Sequence, residues 1–151
     1  MFVKFAENRK AYFNYEIIEK ITAGIELLGF EVKAIKAGRM SLDGSYAVIR
    51  GNEAFLIGSG ITSLQPKNTP KDYDERRNRK LLLTKKEIKH LAGSEKQNGL
   101  TIIALSVYNV GYKIKVELGL AKGKKKSDKR ESIKKRESDR EIRRTLTHNA
   151  D

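Results

Sequence analysis

The chain contains no cysteine, so disulfides and thiolate metal sites are excluded. That absence suits a reducing interior, and a cytoplasmic location is the expectation. Histidine is nearly absent too: His90 and His148 are the only two, and no H-E-x-x-H, G-x-S-x-G or spaced His/Asp cluster occurs. No apolar run is long enough to span a bilayer, and Met1 to Lys10 lack a signal-peptide pattern, so no membrane association is expected. The two prolines, Pro66 and Pro70, both fall in the polar stretch Gln65 to Lys80, which reads as one long loop.

Positive charge is abundant: 32 lysines and arginines stand against 19 aspartates and glutamates, a net +13. Such an excess opposes compaction and points to a polyanionic partner. Nucleic acid is the first candidate, because each phosphate neutralised releases counterions. The charge is unevenly spread. Residues 1–121 carry 20 basic and 13 acidic side chains, whereas residues 122–151 carry 12 and 6 in a fifth of the length. Ile133, Ile142 and Leu146 are the only large apolar residues of that final stretch, too few for a core-facing or membrane-facing stripe. The reading is a folded body over 1–123 and a basic tail over 124–151.

Within the body, Ala11 to Ile18 is rich in Tyr, Phe and Ile and reads as a strand. Gly29 to Gly38 reads as a short helix between glycines. Ser45 to Arg50 and Ala54 to Ile57 flank Gly51-Asn52, a hairpin signal, and Thr101 to Tyr108 and Tyr112 to Leu120 flank Asn109-Val110-Gly111. In the last of these, Tyr112, Ile114, Val116, Leu118 and Leu120 share one face while Lys113, Lys115 and Glu117 share the other. Antiparallel strands with one solvated face fit a small barrel or sandwich. Thr84-Lys85-Lys86-Glu87 is a capping box opening a helix with Ile88, Leu91 and Ala92 on one face, and Asn98-Gly99 ends it.

A converging catalytic set is missing. Gly119-Leu120-Ala121-Lys122-Gly123-Lys124 resembles a phosphate loop but has three residues between its glycines, and Lys125 stands where Ser or Thr should follow. Asp72, Asp74 and Glu75 form an acidic knot that would need rigid placement to serve a metal-dependent nuclease; Arg76, Arg77 and Arg79 follow at once, which reads as a solvated loop neutralising itself. His90 reads as a surface or half-buried helix residue. No enzyme, metal or cofactor is expected. Basic residues interleaved with aromatics carry the better signal: Arg9, Lys10, Tyr12, Phe13 and Tyr15, and then Arg76, Arg77, Arg79 and Lys80. Arginine forks onto phosphates, and rings stack on bases.

Taken in order, Asn8-Arg9-Lys10-Ala11-Tyr12-Phe13, Ala23-Gly24-Ile25-Glu26-Leu27-Leu28-Gly29, Glu31-Val32-Lys33, Ala37-Gly38, Ser45-Tyr46, Arg79-Lys80-Leu81-Leu82-Leu83, Lys115 to Lys125 and Asp128-Lys129-Arg130-Glu131 span nearly the whole chain. This ordered set resembles the small protein B family, the bacterial transfer-messenger RNA (SsrA RNA) binding proteins. The resemblance implies a mainly β, α+β fold: a small closed antiparallel OB-type barrel with flanking helices, and a basic C-terminal tail that is disordered when free and helical on the ribosome. It implies binding to the tRNA-like domain of that RNA and its delivery to stalled bacterial ribosomes for trans-translation. Elongation factor Tu would belong to the delivered complex, the tail would occupy the empty mRNA channel near the small-subunit decoding region, and the protein would act as a monomer. A general OB-fold RNA-binding or ribosomal protein is the alternative.

The resemblance carries RNA-contact roles to Asn8, Tyr15, Thr22, Gly24, Tyr46, Leu82 and Lys115, and ribosome-directed roles to Lys122, Lys124, Lys125, Asp128, Lys129 and Arg130. Leu82 is equally well explained as a core leucine. Members of that family usually carry Glu where this chain has Thr22, and a hydroxyl lacks a carboxylate's charge-assisted strength. The contact there is expected to be kept but altered. The RNA affinity of a Thr22→Glu variant checks this, because an unchanged value would show that the position carries little of the binding. Within the tail, Glu131 with Lys135 and Asp139 with Arg143 are helix-compatible pairs, each worth only about 0.2–0.5 kcal/mol. An isolated segment of that length is expected to stay unfolded in water and to order where phosphates neutralise it.

Overall fold

The computed structural model describes residues 3–65, 67, 69–124, 136 and 137. Nine strands and three helices follow in the order β1 (Lys4–Glu7), α1 (Arg9–Asn14), β2 (Tyr15–Ile25), α2 (Gly29–Lys36), β3 (Met40–Ser41), β4 (Tyr46–Arg50), β5 (Glu53–Ile57), β6 (Gly60–Ile61), β7 (Arg79–Leu82), α3 (Lys85–Asn98), β8 (Thr101–Val110) and β9 (Lys113–Gly123). The fold is mainly β. Seven strands lie in the order β1-β8-β4-β5-β7-β2-β9, all antiparallel, and β9 pairs with β8 as well as with β2. The pairings therefore run from β8 through β4, β5, β7, β2 and β9 and return to β8. A small second sheet joins β3 to β6.

Alternation along the strands sends Ala23, Leu56, Leu81, Ile102, Val107, Val116, Leu118 and Leu120 into one buried cluster, with Ala34 and Ile35 of α2 and Leu91 of α3 added to it. Each fully buried valine, leucine or isoleucine of this cluster contributes about 1.5–3 kcal/mol. Helix α3 opens as its sequence predicts: Thr84 Oγ1 accepts from the Glu87 N–H at 3.2 Å, and Glu87 Oε1 accepts from the Thr84 N–H at 2.9 Å. It stops at Gly99, which takes the left-handed conformation at φ 61°. The hairpin across Gly51-Asn52 and the helix after Gly29 also form as the sequence reads.

Three expectations are corrected. Ala11 to Asn14 is not strand but most of α1, and β2 begins only at Tyr15. The cause is Asn8: its Oδ1 accepts from the Ala11 N–H at 3.3 Å, while its Nδ2 donates to the Ala104 carbonyl at 3.0 Å. A side chain fixed by β8 thus caps a single helical turn and a half, overriding the strand propensity of the aromatics. Tyr112 does not share the buried face of β9. It is a turn residue beside Gly111, and Val110 pairs with Lys113 across the turn. The long loop ends before Arg79, because Arg79 and Lys80 already belong to β7.

A second cluster, Ala11, Ile103, Leu105 and Ala121, lies on the opposite side of β8 and β9 under α1. Gly119 fits closely there: a Cβ would stand 2.9 Å from Leu105 Cδ1 and 3.3 Å from Ile17 Cγ2, so a larger residue would have to displace the Leu105 side chain. Helix α1 therefore covers the outer face of this sheet at one end and leaves it open at the other.

Candidate nucleic-acid interface

The open end of that outer face is where several sequence-selected residues meet. Gly24 of β2 pairs with Leu82 of β7 on one side and with Lys115 of β9 on the other, and Lys115 pairs with Tyr108 of β8. Directly paired residues share a face, so Leu82, Gly24, Lys115 and Tyr108 form one row across four strands. Leu82 is 50% exposed; it is a surface leucine and not a core one. Its side chain leans over Gly24, where an added Cβ would come within 3.1 Å of Leu82 Cβ. Glycine here lets an apolar side chain lie flat on the backbone of the neighbouring strand.

Thr22 stands one pair further along, opposite Glu117. Its Oγ1 is 2.9 Å from the Tyr108 hydroxyl, so a hydroxyl pair arches over β9 between Lys115 and Glu117. Lys20 is 3.7 Å from Glu117, and Lys80 is 3.6 Å from Glu53. Among the described residues no ion pair holds Lys115. Thr22, Gly24, Leu82 and Lys115 line a groove of about 630 Å³ together with Lys80, Thr84 and Glu87. An uncompensated ammonium, hydroxyls and a half-exposed apolar side chain are the groups that meet phosphate, ribose and base. Sequence reasoning missed Tyr108; the signal that finds it is its pairing with Lys115 across the hairpin.

Asn8, Tyr15 and Tyr46 are gathered elsewhere, around a second groove of about 410 Å³ that also has Lys10, Asn14 and Asp43 on its walls. Tyr46 is 42% exposed, but Asn8 is 4% exposed, and its amide is engaged in capping α1. Asn8 shapes this groove from beneath. Of the residues read as ribosome-directed, Lys122 is exposed at the end of β9 opposite Glu16. Lys124 donates from Nζ to the Tyr12 carbonyl at 3.1 Å and from its backbone to the Asn14 carbonyl at 3.0 Å. Lys125, Asp128, Lys129 and Arg130, with most of the tail, lie outside the described residues; Arg136 is described and sits over the Phe13 ring at 4.9 Å.

The second basic cluster is corrected at Arg77 and Arg79, while Lys80 lines the first groove. Arg79 is fully buried and donates from Nε and Nη2 to Glu31 Oε2 at 2.9 and 2.7 Å. Arg77 donates to both oxygens of the same carboxylate. The Tyr73 hydroxyl and the Leu28 N–H also donate to it, at 2.9 and 2.8 Å. Alternation explains the burial, since Arg79 shares the inward face of β7 with Leu81. These two guanidiniums share the carboxylate of Glu31 of α2 and not those of Asp72, Asp74 and Glu75, and they tie the long loop to the helix. Burial alone would push the Glu31 carboxyl up, but hydrogen bonds from Arg77, Leu28 and Arg79, with the charge of Arg79, hold it at about 2. His90 Nε2 lies 2.7 Å from Glu19 Oε2, joining α3 to β2. Among the described residues no group of three or more carboxylates or histidines is placed to hold a metal ion, and no helix is long and apolar enough to cross a membrane.

Comparison with known proteins bears on the same span. The family described as SmpB protein matches residues 5–148. An SsrA-binding protein of Magnetococcus marinus is 51% identical over 144 residues, covering 95% of each chain. One of Wolinella succinogenes is 48% identical over 142 residues, covering 93% of this chain and 94% of its own. A solved structure titled "tmRNA-SmpB: a journey to the center of the bacterial ribosome" superposes with a TM-score of 0.66 at 41% identity, over 84% of this chain and 92% of its own. With a match that runs through β1 to β9 and through every element lining the two grooves, the chain belongs to the SmpB protein family.

Proposed function

We propose that the chain binds the tRNA-like domain of transfer-messenger RNA and delivers it to stalled bacterial ribosomes for trans-translation, by recognition and without catalysis of its own. The observation that carries this reading is the cross-strand row Leu82, Gly24, Lys115 and Tyr108, an outward patch with one unpaired cation in a chain similar to proteins named for SsrA binding. The pairings that return to β8 are read as a closed OB-type barrel, whose outer face commonly meets nucleic acid. Residues 1–123 form the recognition body, which works as a monomer in the cytoplasm. The tail from Lys124 serves the ribosome by entering the vacant mRNA channel near the small-subunit decoding region, and elongation factor Tu accompanies the delivered complex.

A titration against the tRNA-like domain, in excess duplex RNA and with the chain either intact or cut after Lys126, tests this. Tight binding by both forms that resists the competitor is the expected result, with recognition residing in the body. Binding that collapses with added salt and with loss of the tail would instead identify non-specific attraction to phosphate.

A further inference from the structure

At the tip of the β8–β9 hairpin one aromatic ring meets only water. Tyr112 is 101% exposed, and its neighbour Val110 is 43% exposed. The tip is nonetheless well built. Val110 pairs with Lys113, and Gly111, at φ 60°, supplies the left-handed first position that a tight two-residue turn of this kind needs. Tyr112 is thus carried on a ladder that pairs continuously back to Lys115 and Tyr108. Among the described residues none covers its ring.

The surroundings suit an anion. Lys113 and Lys115 stand on the outer face of β9, and among the described residues neither takes part in an ion pair. At about 3.3 Å per residue, the turn lies about 10 Å along the strand from Lys115. A basic track ending in an exposed ring is the arrangement that follows a single strand by its phosphates and ends on the face of a base. Stacked bases inside a duplex hide their faces, so the ring selects an unpaired one.

We propose that Tyr112 is a base-stacking residue that receives an unpaired base of the bound RNA, whose backbone runs along Lys113 and Lys115. This rests on the RNA-binding reading above and adds to it a position at the hairpin tip, beyond the groove around Gly24.

The chain contains no tryptophan, so Tyr112→Trp places a single indole reporter at the tip. On addition of the tRNA-like domain, its emission is expected to be quenched and its access to acrylamide lost, with affinity within about twofold of the unaltered chain. Tyr112→Phe should bind as the unaltered chain does, and Tyr112→Ala about 5- to 100-fold more weakly. Melting temperatures should not change, since among the described residues none packs on the ring. Tight binding by the unaltered chain with equal binding by Tyr112→Ala and unaltered indole emission would overturn the assignment while leaving the RNA-binding reading intact. Failure of the unaltered chain to bind would overturn both.

Discussion

Replacing Glu31 by alanine is expected to destabilise the fold by about 3–5 kcal/mol, the cost of leaving a buried charge without its partner. Arg79 would be the orphan: it is fully buried, and its remaining partners are the carbonyls of Ser59, Arg77 and Glu75 with the hydroxyls of Ser59 and Tyr73. None of these carries the compensating charge. Removing both ions together, as Glu31→Leu with Arg79→Met, should cost less than the sum of the two single changes, because residues in one network are not additive. Urea unfolding of the three variants gives the comparison. Acid has a related effect. The Glu31 carboxyl sits at about 2 in the folded chain against an ordinary 4.5, so protonation favours unfolding. Its contribution is complete above about pH 4.5 and is lost as the pH falls through about 2. The melting temperature of the unaltered chain should therefore fall more steeply between pH 5 and 2 than that of the double variant. The proposed recognition face depends on this anchor, because β7 begins at Arg79 and carries Leu82 three residues later.

Charge reversal at Lys115 is expected to weaken binding of the tRNA-like domain about 10- to 100-fold, or about 1.4–2.8 kcal/mol. The change removes the unpaired cation of the row and adds a carboxylate on the same strand face as Glu117. Lys115→Ala should have a smaller effect and lower the slope of log affinity against log salt by about 1. Lys33→Glu is the control. It changes net charge by the same amount but lies on α2, beside a separate concavity lined by Phe30, Ser63 and Leu64. Equal losses at Lys33 and Lys115 would mean that affinity follows overall charge and that the row has no special part in it.

Legibility in the sequence followed the range of the interactions. The hairpin at Gly51-Asn52, the capping box at Thr84 and the stop at Gly99 are written within a few residues, and each formed where it was read. Helix α1 was hidden because Asn8 is locked by the carbonyl of Ala104, 96 residues away. Arg79 looked like a phosphate binder because its partner, Glu31, lies 48 residues back. Composition cannot say that a cation faces inward; strand parity can, once β7 is known to start at Arg79. The site divides in the same way. Lys115 was visible on the polar face of its strand, whereas Leu82 and Gly24 came from resemblance alone, because the register of β7 on β2 and of β2 on β9 is not written in any local pattern. Tyr108 was missed for a local reason: the turn falls on Gly111 and Tyr112 and not on Asn109-Val110-Gly111, which changes the hairpin register that sets Tyr108 opposite Lys115.

Strand β9 borders both β8 and β2, and this sets an order of events during synthesis. Its pairing with β8 is a short hairpin that can form at once, but β2 is made long before β9 exists. Strand β7, the other neighbour of β2, is also made later, so through that interval the edge of this eleven-residue strand that will meet β9 is open to the same strand of another unfinished chain. Glu16, Glu19 and Lys20 are spaced along it, and charged side chains are what guard such an edge. Glu19 and Lys20, which face His90 and Glu117 in the finished fold, would thus keep charge on that edge until the closing strand arrives.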